Sequence, residues 1–212
     1  MIYAGNTDAS SIMSSDPFTF VVGPEKQLFY MHSALVASLS IQLDRTDDCD
    51  VEAFLAFSEF AYTEKYSVPE FNDIGTLNGG SEDGADVTPE RRRTKEYLLR
   101  LLIFHSKICS FADRHFMDDL QDFGMARLRN ALHDVVLNSE GAGVIVQFLT
   151  ETYAEAPKKV KWVIDTYLGS RVGRLWDNED FRSFVKEKSP LASLEYKPRS
   201  GKSSQDKEER RR

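Results

Sequence analysis

The sequence predicts an α+β fold that is mostly helical, with a small N-terminal β-sheet packed by helices and continued by a C-terminal helical extension. Three observations predict it. Period-two apolar alternation is confined to the N-terminal stretch Phe18, Phe20, Val22 and its aromatic-rich return Leu28-Phe29-Tyr30-Met31. From Ser33 onward the apolar period is helical. The two halves are separated by a long run rich in Gly, Asp, Asn and Glu between Ser67 and Thr88.

Taken in order, residues 1–15 are small and polar and are expected to form a flexible arm. The strand Phe18–Val22 has apolar residues at successive positions, which predicts burial on both faces. Gly23-Pro24-Glu25-Lys26 supplies turn chemistry, so the two strands make a hairpin. Leu35, Val36, Leu39 and Leu43 share one helical face. Residues 44–50 form an acidic connector, and Val51, Phe54, Leu55, Ser58, Ala61 and Tyr62 mark a second amphipathic helix. The run 67–88 cannot pack a core and is expected to be a mobile loop insertion.

Thr88-Pro89-Glu90 has the chemistry of a helix start. The segment from Leu98 to Ala112 is apolar around much of its circumference, which makes it the central helix. Leu120, Gly124, Leu128, Leu132 and Val136 keep an i, i+4 stripe that Gly124 closes up for tight packing. Further helical faces follow at Ile145, Phe148, Leu149, Tyr153, then at Val160, Val163, Ile164, Tyr167, Leu168, then at Phe181, Phe184, Val185, with Ala156-Pro157 as a break. The expected organisation is an arm (1–15), a domain (16–136), a helical extension (137–196) and a disordered charged tail (197–212).

Composition narrows the function. Of 212 residues, 41% are hydrophobic and 29% charged, values of an ordinary globular chain and not of a rod or a disordered polymer. Formal net charge is −7. The stretch 197–212 holds seven Lys and Arg against three Asp and Glu, which leaves −11 on residues 1–196 and argues against nucleic acid as a ligand. No apolar run reaches the roughly 20 residues of a membrane span, and no secretory signal opens the chain. Two cysteines, Cys49 and Cys109, fit a reducing compartment. The expectation is a soluble intracellular protein, cytoplasmic or nuclear, with Arg91–Arg93 and Arg210–Arg212 as basic runs that suit solvated surface more often than an import signal.

Catalytic patterns fail on context. Gly141-Ala142-Gly143 follows a helical segment and not a strand. Gly169-Ser170-Arg171-Val172-Gly173 misplaces the serine of a nucleophile elbow. Asp44–Asp50 lacks the Gly and Glu of a calcium loop. His105, Cys109 and Asp113 are spaced i, i+4, i+8 and resemble a partial zinc site, but no fourth ligand follows by spacing and the competing reading is core. The expectation is no enzyme, no metal and no cofactor.

Three motifs in order carry a family resemblance. Asp16-Pro17-Phe18-Thr19-Phe20-Val21-Val22-Gly23, followed by Phe29 to Ser40 with His32, Leu35 and Leu39, resembles the opening of a BTB/POZ domain. Phe54 to Tyr66 resembles that family's helix ending in Tyr-Thr-Gly-x-Tyr, and Leu102 to Phe116, with Phe111-Ala112-Asp113, its later helical segment. The C-terminal part is similar to the small stand-alone BTB proteins of filamentous fungi. The chain departs from the family in two places. Only residues 41–50 stand where a longer stretch with a third strand is usual, and Glu64 stands where Gly is usual. A missing strand would leave an unpaired sheet edge and an exposed apolar face.

The resemblance implies a non-catalytic protein–protein interaction module that forms a homodimer. It implies a self-association surface around Leu35, Val36 and Leu39, and a cullin-type contact around Phe54, Phe57, Tyr62 and Tyr66. His32 and Asp113 take structural roles. The competing reading of all seven contact residues is core. The alternatives are a substrate adaptor for a cullin-based ubiquitin ligase and a degenerate or incomplete BTB protein.

Overall fold

The computed structural model of the chain describes residues 8–39, 49–71 and 94–187. Outside them lie residues 1–7 of the expected arm, Leu43, most of the connector, the loop from 72, the helix start at Thr88-Pro89, the runs Arg91–Arg93 and Arg210–Arg212, and the tail 197–212. The described residues form an α+β, mostly helical fold. In chain order the elements are α1 (Ala9–Met13), β1 (Pro17–Val22), β2 (Gln27–His32), α2 (Ser33–Leu39), α3 (Val51–Thr63), α4 (Lys95–Arg114), α5 (Asp118–Asp134), α6 (Ser139–Thr152), α7 (Lys158–Leu175) and α8 (Glu179–Glu187).

Part of the expected arm is ordered. Asp8 accepts from the Ser11 N–H at 2.7 Å and caps α1, whose Ile12 is buried. The Ser15 hydroxyl accepts the Ala34 N–H at 3.1 Å, fastening this segment to the start of α2. A polar stretch with one core residue and a good cap thus holds a single turn in place.

β1 and β2 pair antiparallel, Phe20 opposite Phe29 and Val21 opposite Leu28. Gly23 turns the chain at φ +72°, where a Cβ would also meet the Val51 side chain at 2.8 Å. The strand is not buried on both faces, contrary to the pattern's prediction. Phe20 and Val22 are buried, while Phe18, Thr19 and Val21 are exposed. Helices cover one face of the two-stranded sheet, which leaves Thr19 and Val21 outside, while Phe18 shares the covered face but lies toward its end.

α3 packs its Phe54 against Phe20 and Phe29 (ring centroids 5.1 and 5.2 Å apart) and Phe57 against Phe111 of α4 (5.4 Å). Asp50 caps α3 by accepting the Ala53 N–H, and Lys107 of α4 meets the Asp50 carboxylate at 2.7 Å. Helix α3 ends at Glu64 in the left-handed region, φ +59°, with the Glu64 N–H donating to the Phe60 carbonyl. That is the conformation glycine adopts without strain and a glutamate adopts at a cost.

α4 is buried along most of its length and divides its contacts between two apolar clusters. Phe104, Ile108, Phe111 and Ala112 join the hairpin, α2 and α3. Leu99, Leu102 and Cys109 join α5–α8, with Leu128, Phe148, Leu168 and Phe181. The extension expected from residue 137 therefore shares its core with α4 and α5, and the 136/137 junction is a helix connection without a break in packing. Gly124 brings α5 against α4, since a Cβ there would lie 2.9 Å from the Cys109 sulfur. Leu120, Leu128 and Leu132 continue that stripe, but Val136 lies beyond the helix and is exposed. At the α4–α5 corner Phe116 has φ +56° and is exposed.

Replacing Glu64 by Gly should raise unfolding free energy by about 1 kcal/mol, read as a higher urea midpoint at unchanged slope. Gly124→Ala should lower stability by about 1–2 kcal/mol. In a double-mutant cycle with Cys109→Ala, the doubly substituted chain should exceed the additive expectation by about 1 kcal/mol, because the new methyl occupies the space of the deleted sulfur.

Candidate interaction surface

The hairpin divides its side chains by the period of the strand. Opposite residues in an antiparallel pair share a face, so Phe18, Phe20, Phe29 and Met31 lie on one side and Thr19, Val21, Leu28 and Tyr30 on the other. On the outer side Leu28 is 57% and Tyr30 63% exposed, adjacent positions of one face about 7 Å apart. At the end of β2, Tyr62 of α3 accepts the His32 N–H at 3.1 Å and meets His32 Nδ1 at 2.9 Å. The His32 N–H therefore points away from β1. Strand alternation aims the N–H and C=O of Leu28 and Tyr30 along the same edge. No further strand pairs with that edge among the described residues.

The residues singled out by sequence scatter across core and surface. Leu35 is fully buried, and Val36 and Leu39 are half-buried against the same cluster. Phe54, Phe57 and Tyr66 are core residues. Of the four residues from Phe54 to Tyr66, Tyr62, 39% exposed, is the one that keeps surface, and Leu55 seven residues earlier stands exposed on the same helical face. Three of the four residues assigned to a cullin-type contact thus have no surface to offer, nor does Leu35 for self-association. Helical periodicity finds the apolar face of a helix, and in a chain this size that face is spent on its own core. The exposed pair Leu28 and Tyr30 was missed because an apolar strand carries no sign of which side its helices cover.

His32 sits at the strand-to-helix corner, held by Tyr62. Asp113 accepts from the buried Gln121 side chain at 2.8 Å, joining the end of α4 to α5. His105, Cys109 and Asp113 do not converge. His105 and Cys109 are buried while Asp113 is exposed, and no group of three or more His, Cys, Asp or Glu residues that could hold a metal occurs among the described residues.

Instead His105 Nδ1 lies 2.9 Å from the Tyr66 hydroxyl, a buried pair that joins the segment after α3 to α4. Arg127 of α5 stacks over the Tyr66 and Phe123 rings at 5.6 and 5.3 Å. Burial, aided by the nearby Arg127 charge, holds His105 down to about 3, and burial pushes the Tyr66 hydroxyl up. Burial likewise pushes the Cys109 thiol up to about 12, the opposite of an activated nucleophile.

Comparisons with protein-family models, with curated proteins and with solved structures find no match to this chain. No helix among the described residues is long and apolar enough to cross a membrane.

The neutral histidine sets a pH dependence. Unfolded, the imidazole takes up its proton near pH 6.5; folded, it does so only near 3. Its contribution to stability is therefore complete above pH 6.5 and is lost as pH falls from 6.5 toward 3, at about 1.4 kcal/mol per unit. The His105 ring signals in a histidine NMR titration should stay those of the neutral form down to pH 4.5, while urea midpoints fall between pH 7 and 5.

Proposed function

We propose that this protein is a non-catalytic interaction module of BTB/POZ type that self-associates through the free edge and outer face of its hairpin. One observation carries the reading: Leu28 and Tyr30 expose two large side chains and the main-chain donors and acceptors of one strand edge. A second copy satisfies both at once. Two β2 edges set antiparallel about a two-fold axis pair their main chains and bury Leu28 and Tyr30 of each copy against the other. Such a long apolar edge left in water is a liability for any soluble chain, and pairing removes it.

The sequence motifs support the same class, and the backbone after α3 is compatible with it although Glu64 itself departs from the pattern. The turn after α3 is left-handed, as a Gly there in the family would favour. The cullin-adaptor reading rests on residues that lie mostly in the core and gains no support from the surface.

The test is light scattering on the eluting full chain over a range of concentrations. A dimer is expected, and Leu28→Ser with Tyr30→Ser should turn it to monomer while far-UV circular dichroism and the melting profile stay those of the parent. A monomer at about 100 μM would contradict the proposal, as would a dimer that survives both substitutions.

A further inference from the structure

An open cleft of about 960 Å³ lies between α4, α5, the start of α6 and residues 68–70, on a different part of the molecule from the residues of the hairpin edge. Its volume is in the range of small-ligand sites. Leu98, Leu101 and Val144 line its apolar part. Its polar groups include His105 and Arg127, and these two are unusual.

His105 is 2% exposed, yet it lines the cleft. Its Nδ1 is engaged by Tyr66, and Nε2 has no partner among the described residues. The Tyr66 hydroxyl has no other acceptor among those residues, so its proton goes to Nδ1 and the single hydrogen of the neutral ring resides on Nε2. That hydrogen is engaged by no acceptor among the described residues and is open to the cleft that His105 lines. Arg127 is half-buried and held flat by two aromatic rings, with no carboxylate within ion-pair distance among the described residues. The cleft thus offers two donors, one of them a planar fork, that no acceptor among the described residues engages.

We propose that this cleft binds a monocarboxylate carried on an apolar body, its two oxygens received by the Arg127 guanidinium and the His105 Nε2 hydrogen. The fork geometry of Arg127 matches a carboxylate. The remaining lining disfavours a more highly charged anion: Glu70, Asp134 and Glu140 outnumber Lys95 and Arg127, so a phosphate dianion meets about twice the repulsion that a monocarboxylate does. The apolar wall formed by Leu98, Leu101 and Val144 takes the rest of the ligand. A free carboxylic acid and the C-terminus of a peptide present the same chemistry.

The full chain is titrated with sodium hexanoate and with N-acetyl-leucyl-leucine, using hexanamide and inorganic phosphate as comparisons, while the His105 ring signals and the melting temperature are followed. Saturable binding of at least one carboxylate is expected, with the His105 signals shifting and the melting temperature rising. Hexanamide and phosphate should bind about tenfold more weakly or worse, the equivalent of one charged hydrogen bond. Stronger binding of hexanoate identifies a free acid as the source, and stronger binding of the dipeptide identifies a peptide terminus. Arg127→Gln should weaken either by about tenfold or more, and Arg127→Lys by less. Should Arg127→Gln fail to fold, the shift of the His105 signals in the parent chain still locates the ligand. The proposal is overturned if neither carboxylate binds, if hexanamide or phosphate binds as well, if the His105 signals do not move, or if a folded Arg127→Gln chain binds unchanged.

Discussion

The packing of α4 is the constraint on which the remainder of the molecule depends. A helix that presents apolar side chains around most of its circumference must be covered on all of those sides, and no single layer can do it. The hairpin with α2 and α3 covers the Phe104–Ile108–Phe111 side, and α5 to α8 cover the Leu99–Leu102–Cys109 side. Neither half holds a finished core without the helix between them. The contacts that fix the geometry are small: Lys107 reaching back to Asp50 at the start of α3, and the absence of a side chain at Gly124. Gly124 sets how closely α5 approaches α4, and side chains packed at interior density leave little room for that distance to vary.

The same burial shapes the electrostatics. Tyr66, His105 and Cys109 gather along the α4–α5 boundary, where desolvation keeps every one of them neutral at physiological pH. The Arg127 charge nearby lies against ring faces and makes no ion pair with a carboxylate among the described residues. A constellation of histidine, cysteine and aspartate that reads on paper as a metal or nucleophile site is, in three dimensions, a hydrogen-bonded pair, a packed sulfur and a separate surface carboxylate.

Much of the architecture was legible in the sequence because periodicity over long windows survives tertiary context. The hairpin, the central helix and the faces of α5 to α8 all follow it. Shorter or two-sided features were not legible. Helix α1 has five residues, fewer than any periodic window, and is held by one cap and one buried isoleucine. A strand with large apolar residues at successive positions, Leu28-Phe29-Tyr30-Met31, hides which of its faces is covered, so the exposed Leu28 and Tyr30 were overlooked. Leu35, Phe54, Phe57 and Tyr66 were placed on a contact surface because conspicuous apolar residues in a motif look alike whether they face inward or outward. The Tyr66–His105 pair bridges 39 positions of sequence, and no spacing rule links them.

The sulfur opposite Gly124 has one more consequence. Cys109 is fully buried, holds its proton to about pH 12 and is screened by the backbone of the adjacent helix. A thiol reagent meets no thiolate there while α4 and α5 remain together. Modification of this atom therefore measures how often the two helices part, so the chain carries its own clock for the opening of its core, one that needs no label and runs at the rate of the motion itself when trapping outpaces reclosure.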